Sequence, residues 1–349
     1  MPIRSTPVRA LVAAMLPVLV LSACDGGAAR AGNTCNGVPA QPVISFAAYS
    51  TPREAYGRII SAFKADWKDS HDGQEVIFQE SYDASTLQAS RVVAGYEADV
   101  VALSLSPDVD DIANAGLITH DWTKAPDGGM VSTSIVVFDV RPGNPLGLED
   151  WNDLARPGVG VLTPDPASSG GARWNLVSAW GSALRGYGGV REGDEAGATA
   201  LMQDVLRNVI AYDSSARKSI QNFEDGNGDV AITYENEVLT ARAAGKDDEA
   251  VYPPSSVLIE NPVAVVDANV DKHCVREVAE AFVDYLHTPE VKEIFTDAGY
   301  RSTDIGKAQK GGGDFPEMTD LWDVDELGGW QALNDKLFSD SGIVTEARA

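Results

Sequence analysis

The chain has 349 residues, of which 27 are lysine or arginine and 52 are aspartate or glutamate, so its formal net charge at pH 7 is −25. Binding to nucleic acid needs a basic face that neutralises phosphates, and this composition argues against such a partner. Repulsion from exposed carboxylates fades within about 8 Å at physiological salt, so a local cleft lined by hydrogen-bond donors could still bind an anion. The length exceeds that of one typical core and suggests two lobes.

The first residues have the pattern of an export signal. Two arginines precede an apolar run from Ala10 to Val20, which is too short to remain as a membrane span, and Leu21-Ser22-Ala23-Cys24 follows. This ending resembles the lipobox of bacterial lipoproteins, in which cleavage before the cysteine leaves it N-terminal and lipidated. We therefore expect residues 1–23 to be a signal peptide and Cys24 to carry a lipid anchor. An ordinary signal peptide with a chance cysteine is the alternative.

Lipidation of Cys24 would leave Cys35 and Cys274 as an even pair in an oxidising compartment. We predict that they form a disulfide that ties the mature N-terminus to a late helix, with two free buried thiols as the alternative. The loop closed by this bond would be very long, so chain-entropy arguments set its contribution at roughly 4 to 5 kcal/mol at most. No cysteine is then left as an obvious nucleophile.

Short apolar runs alternate with helical patterns along most of the chain, and this alternation predicts an α/β fold with a mainly parallel sheet. A small, polar stretch at residues 24–40 is expected to be a tether. Helical patterns lie at residues 56–67, at about 171–184, at about 198–206 and at 275–286. The predicted strands are, in chain order, 43–49, 76–79, 99–103, 135–140, 159–163, 209–212, 230–234 and 262–266.

The alternation of strands and helices restarts after the break Pro142-Gly143-Asn144-Pro145. This restart predicts two similar lobes, joined by crossings of the chain near residues 135 and 260. The predicted segments are residues 41–135 and 261–308 in lobe 1, residues 136–260 in lobe 2, and residues 309–349 in a C-terminal extension that packs across both lobes.

Four predicted helices begin with a hydroxyl residue shortly after a predicted strand. Such a start exposes backbone N–H groups at the positive end of the helix dipole, which is what binding an anion requires. Routine helix capping is the alternative for each start taken alone. Because all four follow the carboxyl ends of strands, where open α/β sheets bind their ligands, we expect them to share one anion-binding crevice. The four starts are Thr51-Pro52-Arg53-Glu54 and Ser85-Thr86-Leu87-Gln88, both capping boxes, Ser168-Ser169-Gly170-Gly171, and Ser214-Ser215-Ala216-Arg217.

Signals of other chemistry are missing from the sequence. The four histidines are scattered and show no spacing of metal ligands or of a catalytic triad. The glycine and serine motifs of nucleotide-binding proteins and of α/β-hydrolases do not occur, and no pair of carboxylates is singled out for acid–base work. We therefore expect no cofactor, no metal and no enzymatic activity.

With these segments in place, the chain resembles the periplasmic sulfate-binding proteins, the solute receptors of sulfate or thiosulfate ABC importers. The resemblance runs from about residue 43 to residue 348. It implies a type II periplasmic binding protein, in which two α/β lobes joined by a two-crossing hinge close on one unhydrated anion. The segments that carry the resemblance are 52–54, 97–101, 140–145, 169–175, 235–237, 262–267 and 328–330.

In that family neutral donors hold the anion, mostly backbone N–H groups at helix starts together with serine hydroxyls and one indole. The resemblance implies that Ser169 gives its hydroxyl and that Gly170 and Gly171 give their N–H groups. Ser85 stands at the position of a second binding serine, and Ala216 at the position of another N–H donor.

The chain departs from the family pattern at four positions around the implied site. Ser50 replaces an aspartate whose N–H binds the anion, and its own N–H could serve unchanged. Tyr234 replaces the tryptophan, and a phenol can accept a hydrogen bond as well as donate one. Thr51-Pro52 inverts the usual order of proline and threonine, so the N–H at position 52 is lost. Asp83 replaces a glycine, and we expect its carboxylate to face solvent. The alternative is a carboxylate that points inward, which would repel a dianion or, by accepting a proton, favour a protonated oxyanion such as hydrogen phosphate.

The resemblance implies reversible capture of sulfate by a monomeric receptor on the outer face of the cytoplasmic membrane. A lipid anchor would hold the receptor there, and it would deliver sulfate to a permease driven by a cytoplasmic ATPase. Sulfate carries no proton near pH 7, so a site with donors and no acceptor can select it over phosphate. The alternatives are thiosulfate, molybdate, tungstate or phosphate as the ligand, an oxyanion sensor without transport, and an exported enzyme on the same fold.

Overall fold

The computed structural model describes Met1, Cys35, Gly37, residues 39–313 and residues 315–348. The predicted signal peptide beyond Met1, the predicted lipidation site Cys24 and most of the predicted tether lie outside the described residues. The part from Cys35 onward is one unit by its internal contacts. None of the helices within the described ranges is long and apolar enough to cross a membrane.

Strands and helices alternate through the chain, as the sequence pattern predicts. The strands are β1 Val43–Tyr49, β2 Ile77–Asp83, β3 Val100–Ala102, β4 Met130–Val140, β5 Val161–Pro164, β6 Val209–Asp213, β7 Val230–Tyr234, β8 Glu249–Val251, β9 Ser255–Val265 and β10 Asp320–Trp322. The helices of the first half are α1 Arg53–Ser70, α2 Ser85–Val93, α3 Ser106–Asn114, α4 Trp151–Leu154, α5 Gly170–Leu184 and α6 Glu195–Arg207. The later helices are α7 Ala216–Glu224, α8 Glu235–Ala243, α9 Asp267–His273, α10 Arg276–Leu286, α11 Pro289–Asp297, α12 Ile305–Lys310, α13 Gly329–Leu333 and α14 Ile343–Arg348.

The strands follow the order β2-β1-β3-β9-β4-β7-β5-β6, with β10 on β9 and β8 on β4. The pairs of β1 with β2 and β3 are parallel, and so are the pairs of β5 with β6 and β7. The long strands β4 and β9 pair antiparallel with each other and with their other principal neighbours. Parallel strands therefore lie on both sides of a central antiparallel pair.

The strands β4 and β9 are each 11 residues long, and each pairs with three different strands along its length. Residues 130–135 of β4 pair with 258–262 of β9, whereas residues 136–140 of β4 continue along β7. Residues 263–265 of β9 continue along β3. These two strands thus connect the β2-β1-β3 group with the β7-β5-β6 group.

The sequence predictions for β4 and β9 were too short, because both strands contain buried polar residues that read as loop. Ser256 is fully buried, and its hydroxyl donates to the carbonyl of Val136 at 2.8 Å. The hydroxyl of Thr133 donates to the carbonyl of Arg301 at 3.0 Å. These bonds satisfy hydroxyl groups that would otherwise be costly to bury, so polar residues are tolerated inside the sheet.

Separate apolar cores cover the two groups of strands. Beside β1, Phe46 packs edge-on against Tyr56 of α1 and Phe282 of α10, at centroid distances of 4.9 and 5.6 Å. On the other side, Phe138 of β4 packs edge-on against Trp151 of α4 at 4.8 Å. Burial of such aromatic side chains is the main source of stability for each group.

Cys35 and Cys274 form a disulfide, with their Cα atoms 5.4 Å apart. Cys274 is the residue that ends α9 and has a left-handed backbone conformation. The pairing predicted from the sequence is therefore present, and it ties the segment before β1 to the connection between α9 and α10.

Replacing both Cys35 and Cys274 by serine is expected to lower the free energy of unfolding by about 2 to 4 kcal/mol, because the unfolded chain loses a long covalent loop. Urea unfolding of the variant and of the parent protein measures this difference. Chemical reduction of the parent should give a similar loss. Two alkylatable thiols in the mass spectrum of the exported parent would contradict the pairing.

Candidate functional site

A small cleft lies where several strands end and helices begin. The cleft has a volume of about 200 Å³. A cleft of this size has room for about one small group and excludes a drug-sized ligand. Its lining residues are Tyr49, Ser50, Thr51, Asp83, Ala84, Ser85, Ser104, Ser169, Gly171, Ala216 and Tyr234.

Six of the seven residues predicted to bind the anion line this cleft, and the seventh lies beside it. The six are Ser50, Ser85, Ser169, Gly171, Ala216 and Tyr234. Gly170 is buried against Ser104. A Cβ atom added at position 170 would lie only 2.7 Å from the Ser104 Oγ. The structure therefore brings together residues that the sequence separates by up to 184 positions, from 50 to 234.

The closest approach in the cleft wall is at Gly171, near the start of α5. A Cβ atom at this position would lie 3.2 Å from the Cβ of Ala216 and 3.5 Å from both the Oγ of Ser169 and the ring of Tyr234. The starts of α5 and α7 and the end of β7 thus converge on one point, and a larger side chain at position 171 would fill the cleft.

Two of the four predicted helix caps are present. The hydroxyl oxygen of Ser169 accepts a hydrogen bond from the N–H of Ala172 at 3.4 Å, and that of Ser215 accepts from the N–H of Lys218, also at 3.4 Å. Hydroxyl groups at these positions fix where α5 and α7 begin.

The first N–H groups of α5 and α7 have no carbonyl acceptor within their own helix. Those of Gly170 and Gly171 in α5, and of Ala216 in α7, donate to no protein group within the described ranges. Such groups carry the partial positive charge of the helix end and are available to an acceptor in the cleft.

The other two predicted caps are wrong. Helix α1 is capped by Pro52 itself rather than by Thr51, so proline does not occupy the first helical position. Helix α2 is capped by Ala84, and Ser85 is its first helical residue. Neither helix start has a side-chain cap. At Ser85 the reason is that its hydroxyl binds other groups.

Ser85 is held by two buried hydrogen bonds beneath the cleft. Its hydroxyl donates to the Oδ2 of Asp108 at 2.5 Å and accepts from the N–H of Ser104 at 2.8 Å. Burial raises the pKa of Asp108 to about 6, although hydrogen bonds from Ser85 and Thr86 and the charge of Arg173 act in the opposite direction. When Asp108 is ionised, the one proton of the Ser85 hydroxyl is used by that carboxylate.

Three lining residues, Tyr49, Ala84 and Ser104, were not predicted from the sequence. The Oγ of Ser104 lies 2.8 Å from the phenol oxygen of Tyr234, and the carbonyl of Ser104 accepts from the indole N–H of Trp174 at 2.7 Å. The phenol of Tyr49 donates to the Oδ1 of Asn261 at 2.8 Å. The available signal for Ser104 was its position directly after a predicted strand, which is the signal used for the other helix starts.

Tyr234 contributes a neutral phenol to the cleft. It is fully enclosed, and burial raises the pKa of its hydroxyl well above the usual value. Since the group stays protonated at neutral pH, it can donate one hydrogen bond and accept others. Its present partner is the hydroxyl of Ser104, and either oxygen can be the donor.

Asp83 lies in the cleft wall rather than facing solvent as expected. Its side chain is 27% exposed, and its Oδ2 is 2.8 Å from a guanidinium nitrogen of Arg91. The Oδ1 accepts from the N–H of Ala84 at 2.9 Å. Each carboxylate oxygen therefore already has a donor within the protein.

The cleft lining has no lysine or arginine among the described residues. Arg173 lies behind the start of α5, where its guanidinium donates to the carbonyl of Pro166 at 3.1 Å and to the Oδ1 of Asn334 at 3.3 Å. Arg53 lies over the ring of Tyr82, 5.1 Å from its centroid. Neither arginine lines the cleft.

The rest of the site offers neutral donors. No cluster of three or more histidine, cysteine, aspartate or glutamate side chains that could hold a metal occurs in the described part of the chain. An acceptor in the cleft would therefore face mainly N–H and O–H groups, with Asp83 as the one carboxyl group among the described lining residues.

Replacing Asp108 by asparagine tests how much the burial of this ionisable carboxyl group destabilises the folded protein. Its pKa is about 6 in the folded protein and about 3.9 in an unfolded chain, so folding becomes less favourable as the pH rises through this interval. The stability of the variant relative to the parent should therefore rise by about 2 kcal/mol between pH 4 and pH 7.5.

Urea unfolding at several pH values measures this relative stability. The exposed residue Asp69, at the end of α1, supplies the control substitution D69N. A difference between D108N and the parent that does not vary with pH would contradict the assigned role of burial.

Comparison with known proteins places the chain among extracellular receptors. The family model for bacterial extracellular solute-binding proteins matches residues 44–301. A sulfate-binding protein of Escherichia coli K12 is 44% identical over 84% of this chain and 89% of its own length. A sulfate-binding protein of Synechococcus elongatus is 38% identical over 93% of this chain and 91% of its own length.

A solved structure shows the same fold. The sulfate-binding protein of Mycobacterium tuberculosis H37Rv is 33% identical, superposes with a TM-score of 0.76, and covers 85% of this chain and all of its own. This likeness confirms the predicted α/β fold of the type II periplasmic binding proteins. The chain belongs to the family of bacterial extracellular solute-binding proteins, in the group of the sulfate-binding proteins.

Proposed function

We propose that this protein captures sulfate outside the cytoplasmic membrane and delivers it to the permease of an ATP-driven importer. The observation that carries the proposal is the convergence of unpaired helix-start N–H groups on a small cleft without cations. Membership of a family of solute-binding proteins supports a receptor rather than an exported enzyme.

Neutral donors are well suited to a fully ionised oxyanion. Each hydrogen bond to a charged oxygen contributes about 1.5 to 3 kcal/mol, and several of them together offset the large cost of removing the ion from water. Helix starts add the favourable field of their dipoles without bringing a cation into the cleft. The acidic composition of the chain is therefore compatible with a bound dianion.

The proposed ligands are the residues expected from the sequence. Ser50, Gly170, Gly171 and Ala216 would give backbone N–H groups, and Ser169 would give its hydroxyl. The cap that Ser169 makes to Ala172 uses the hydroxyl oxygen as acceptor, which leaves the hydroxyl proton free for the ligand. Gly170 would donate from just outside the lining surface.

Ser85 and Tyr234 would complete the site. The present hydrogen-bond partner of each decides whether its hydroxyl proton is available to the ligand. Ser85 can give its hydroxyl proton to an oxyanion only when the bond to Asp108 is released, and protonation of Asp108 would release it. Tyr234 can turn its proton from Ser104 to the ligand, since Ser104 can donate in that pair instead.

Selection of sulfate over hydrogen phosphate rests on the lack of a free acceptor. Hydrogen phosphate carries a proton that needs an acceptor in the cleft. An O–H group of the ligand without an acceptor would weaken the binding of hydrogen phosphate. Asp83 is the carboxyl group in the cleft lining, and its oxygens are already paired with Arg91 and with the N–H of Ala84, which makes it a weaker acceptor for a ligand O–H group. This pairing favours the ion that needs only donors.

We also propose that the cleft opens and closes between two lobes with the boundaries predicted from the sequence. The crossings near residues 135 and 260 fall within the central strands β4 and β9. Hinge motion there would release the ligand. The C-terminal extension would span both lobes, since Asp320 binds Arg185 and the carbonyl of Pro316 accepts from Arg301.

The receptor would act as a monomer held at the outer face of the cytoplasmic membrane by a lipid on Cys24. A residue lipidated at this position would be followed by a short tether before the disulfide at Cys35. Anchoring keeps the receptor near its permease without a membrane-spanning helix.

Calorimetry with sulfate, thiosulfate, molybdate and phosphate at a fixed ionic strength of about 0.15 M tests the ligand. We expect sulfate to bind, and phosphate to bind at least about tenfold more weakly, which corresponds to about 1.4 kcal/mol. Absence of sulfate binding, or tighter binding of phosphate, would refute the proposal. Sulfate uptake by cells that lack the gene, compared with cells that carry it, would distinguish transport from sensing.

Gly171 is the position for a matched pair of substitutions. Gly171→Ala keeps the N–H group and adds only a Cβ atom, which has contacts of 3.2 to 3.5 Å to accommodate. Gly171→Pro adds the Cβ atom as well, removes the N–H group and places two further ring carbons, Cγ and Cδ, beside the nitrogen. We expect the proline variant to bind sulfate at least about tenfold more weakly than the alanine variant, as the loss of one charge-assisted bond predicts.

Thermal unfolding of both Gly171 variants should establish that the start of α5 is retained. Equal affinities for sulfate in two folded variants would show that the N–H of residue 171 does not bind the ion. The loss specific to proline combines the missing N–H group with the bulk of the ring beside the nitrogen, and alanine reports the contribution of the Cβ atom.

A further inference from the structure

A second cavity adjoins the cleft and shares Ser50 and Asp83 with it. It encloses about 650 Å³ of empty space and is larger than the cleft. We call this cavity the vestibule; its lining residues are Ser50, Arg53, Glu54, Tyr82, Asp83, Ser215, Arg217, Lys218 and Gln221.

The vestibule is lined by three cations, in contrast to the cleft. Its two carboxylates are both paired: Glu54 lies 3.1 Å from Arg217, and Asp83 lies 2.8 Å from Arg91. Arg217 is held in addition by Glu237 at 3.0 Å. The negative charges at this surface are therefore compensated by neighbours.

Arg53 and Lys218 are the two cations that remain. Arg53 lies over the ring of Tyr82, and the Nζ of Lys218 donates to the hydroxyl of Ser214 at 3.0 Å. Neither forms an ion pair with a carboxylate in the described part of the chain, and both side chains are exposed. In a chain with 52 acidic and 27 basic residues, two unpaired cations at one cavity concentrate positive potential there.

We propose that the vestibule is a collecting subsite, in which Arg53 and Lys218 attract small oxyanions from solution before they move into the cleft. The inference rests on the proposed function, because it concerns the route of the same ligand. Exposed, flexible cations hold an anion weakly and discriminate little, so selection is left to the donors of the cleft.

The physical benefit of such a subsite is a faster encounter rather than a tighter complex. Most of the molecular surface repels a dianion at distances within the screening length, about 8 Å at physiological salt. A local positive surface beside the cleft counters this repulsion over the same range. Charges at the rim of a binding site change the association rate and its salt dependence more than the dissociation rate.

The test is the kinetics of sulfate binding by the double variant R53Q/K218Q. We expect its association rate constant to fall about three- to tenfold at an ionic strength of about 0.01 M, and to approach that of the parent at about 0.5 M. The dissociation rate constant should stay within about twofold of the parent. Stopped-flow tryptophan fluorescence measures both rates, and rapid filtration with radioactive sulfate gives a second readout.

Two control variants accompany this measurement. R53K/K218R keeps both charges and should bind sulfate at the parental rate. K64Q/K310Q removes the same charge from exposed positions that line neither cavity, and should change the rate by less than about twofold.

An unchanged association rate in R53Q/K218Q, or an equal fall in K64Q/K310Q, would overturn the collecting role. A change confined to dissociation would also overturn it, because the two cations would then stabilise the complex itself. A parent protein that binds no sulfate would instead refute the proposed function, so the two failures are distinguishable.

Discussion

The antiparallel pairing of β4 with β9 is the contact on which the other features of the molecule depend. Each strand leaves this shared section to join a different group of parallel strands, β4 beside β7 and β9 beside β3. The elements that meet at the cleft are attached to these two groups. A bond such as that from Ser256 to the carbonyl of Val136 therefore fixes more than local geometry. It fixes the register that places Ser104 opposite Tyr234.

Charge is arranged around the cleft so that few formal charges face it. Asp83 is satisfied by Arg91 and a backbone N–H, Asp108 is buried beneath Ser85, and Arg173 binds groups behind α5. What remains at the surface of the cleft is a set of fixed dipoles. Fixed dipoles need no reorganisation when an ion arrives, and they impose a geometry on it that mobile side chains do not. The vestibule has the opposite character, with long cationic side chains in contact with solvent.

The sequence predicted most of the strands, some of the helices and most of the cleft, because the signals for these were local. The short strands β8 and β10 and helices such as α3 and α4 were not predicted. Ser169 and Ser215 directly precede helical patterns and do cap them. The same pattern failed at Ser85, because its hydroxyl is bound by Asp108, which is 23 positions away. Ser104 was missed for a related reason, since its place in the cleft follows from the pairing of β3 with β9. Contacts between distant segments are not encoded in any short motif.

The disulfide between Cys35 and Cys274 also has a mechanical consequence. The two residues are 239 positions apart, so the bond makes nearly the whole fold a covalent ring. A force applied to the chain before Cys35 is transmitted through the disulfide to the end of α9. It therefore does not separate β1 from the strands beside it. The bond also cannot form until Cys274 has been synthesised. Resistance to load from the N-terminal side is therefore acquired only late in the production of the protein.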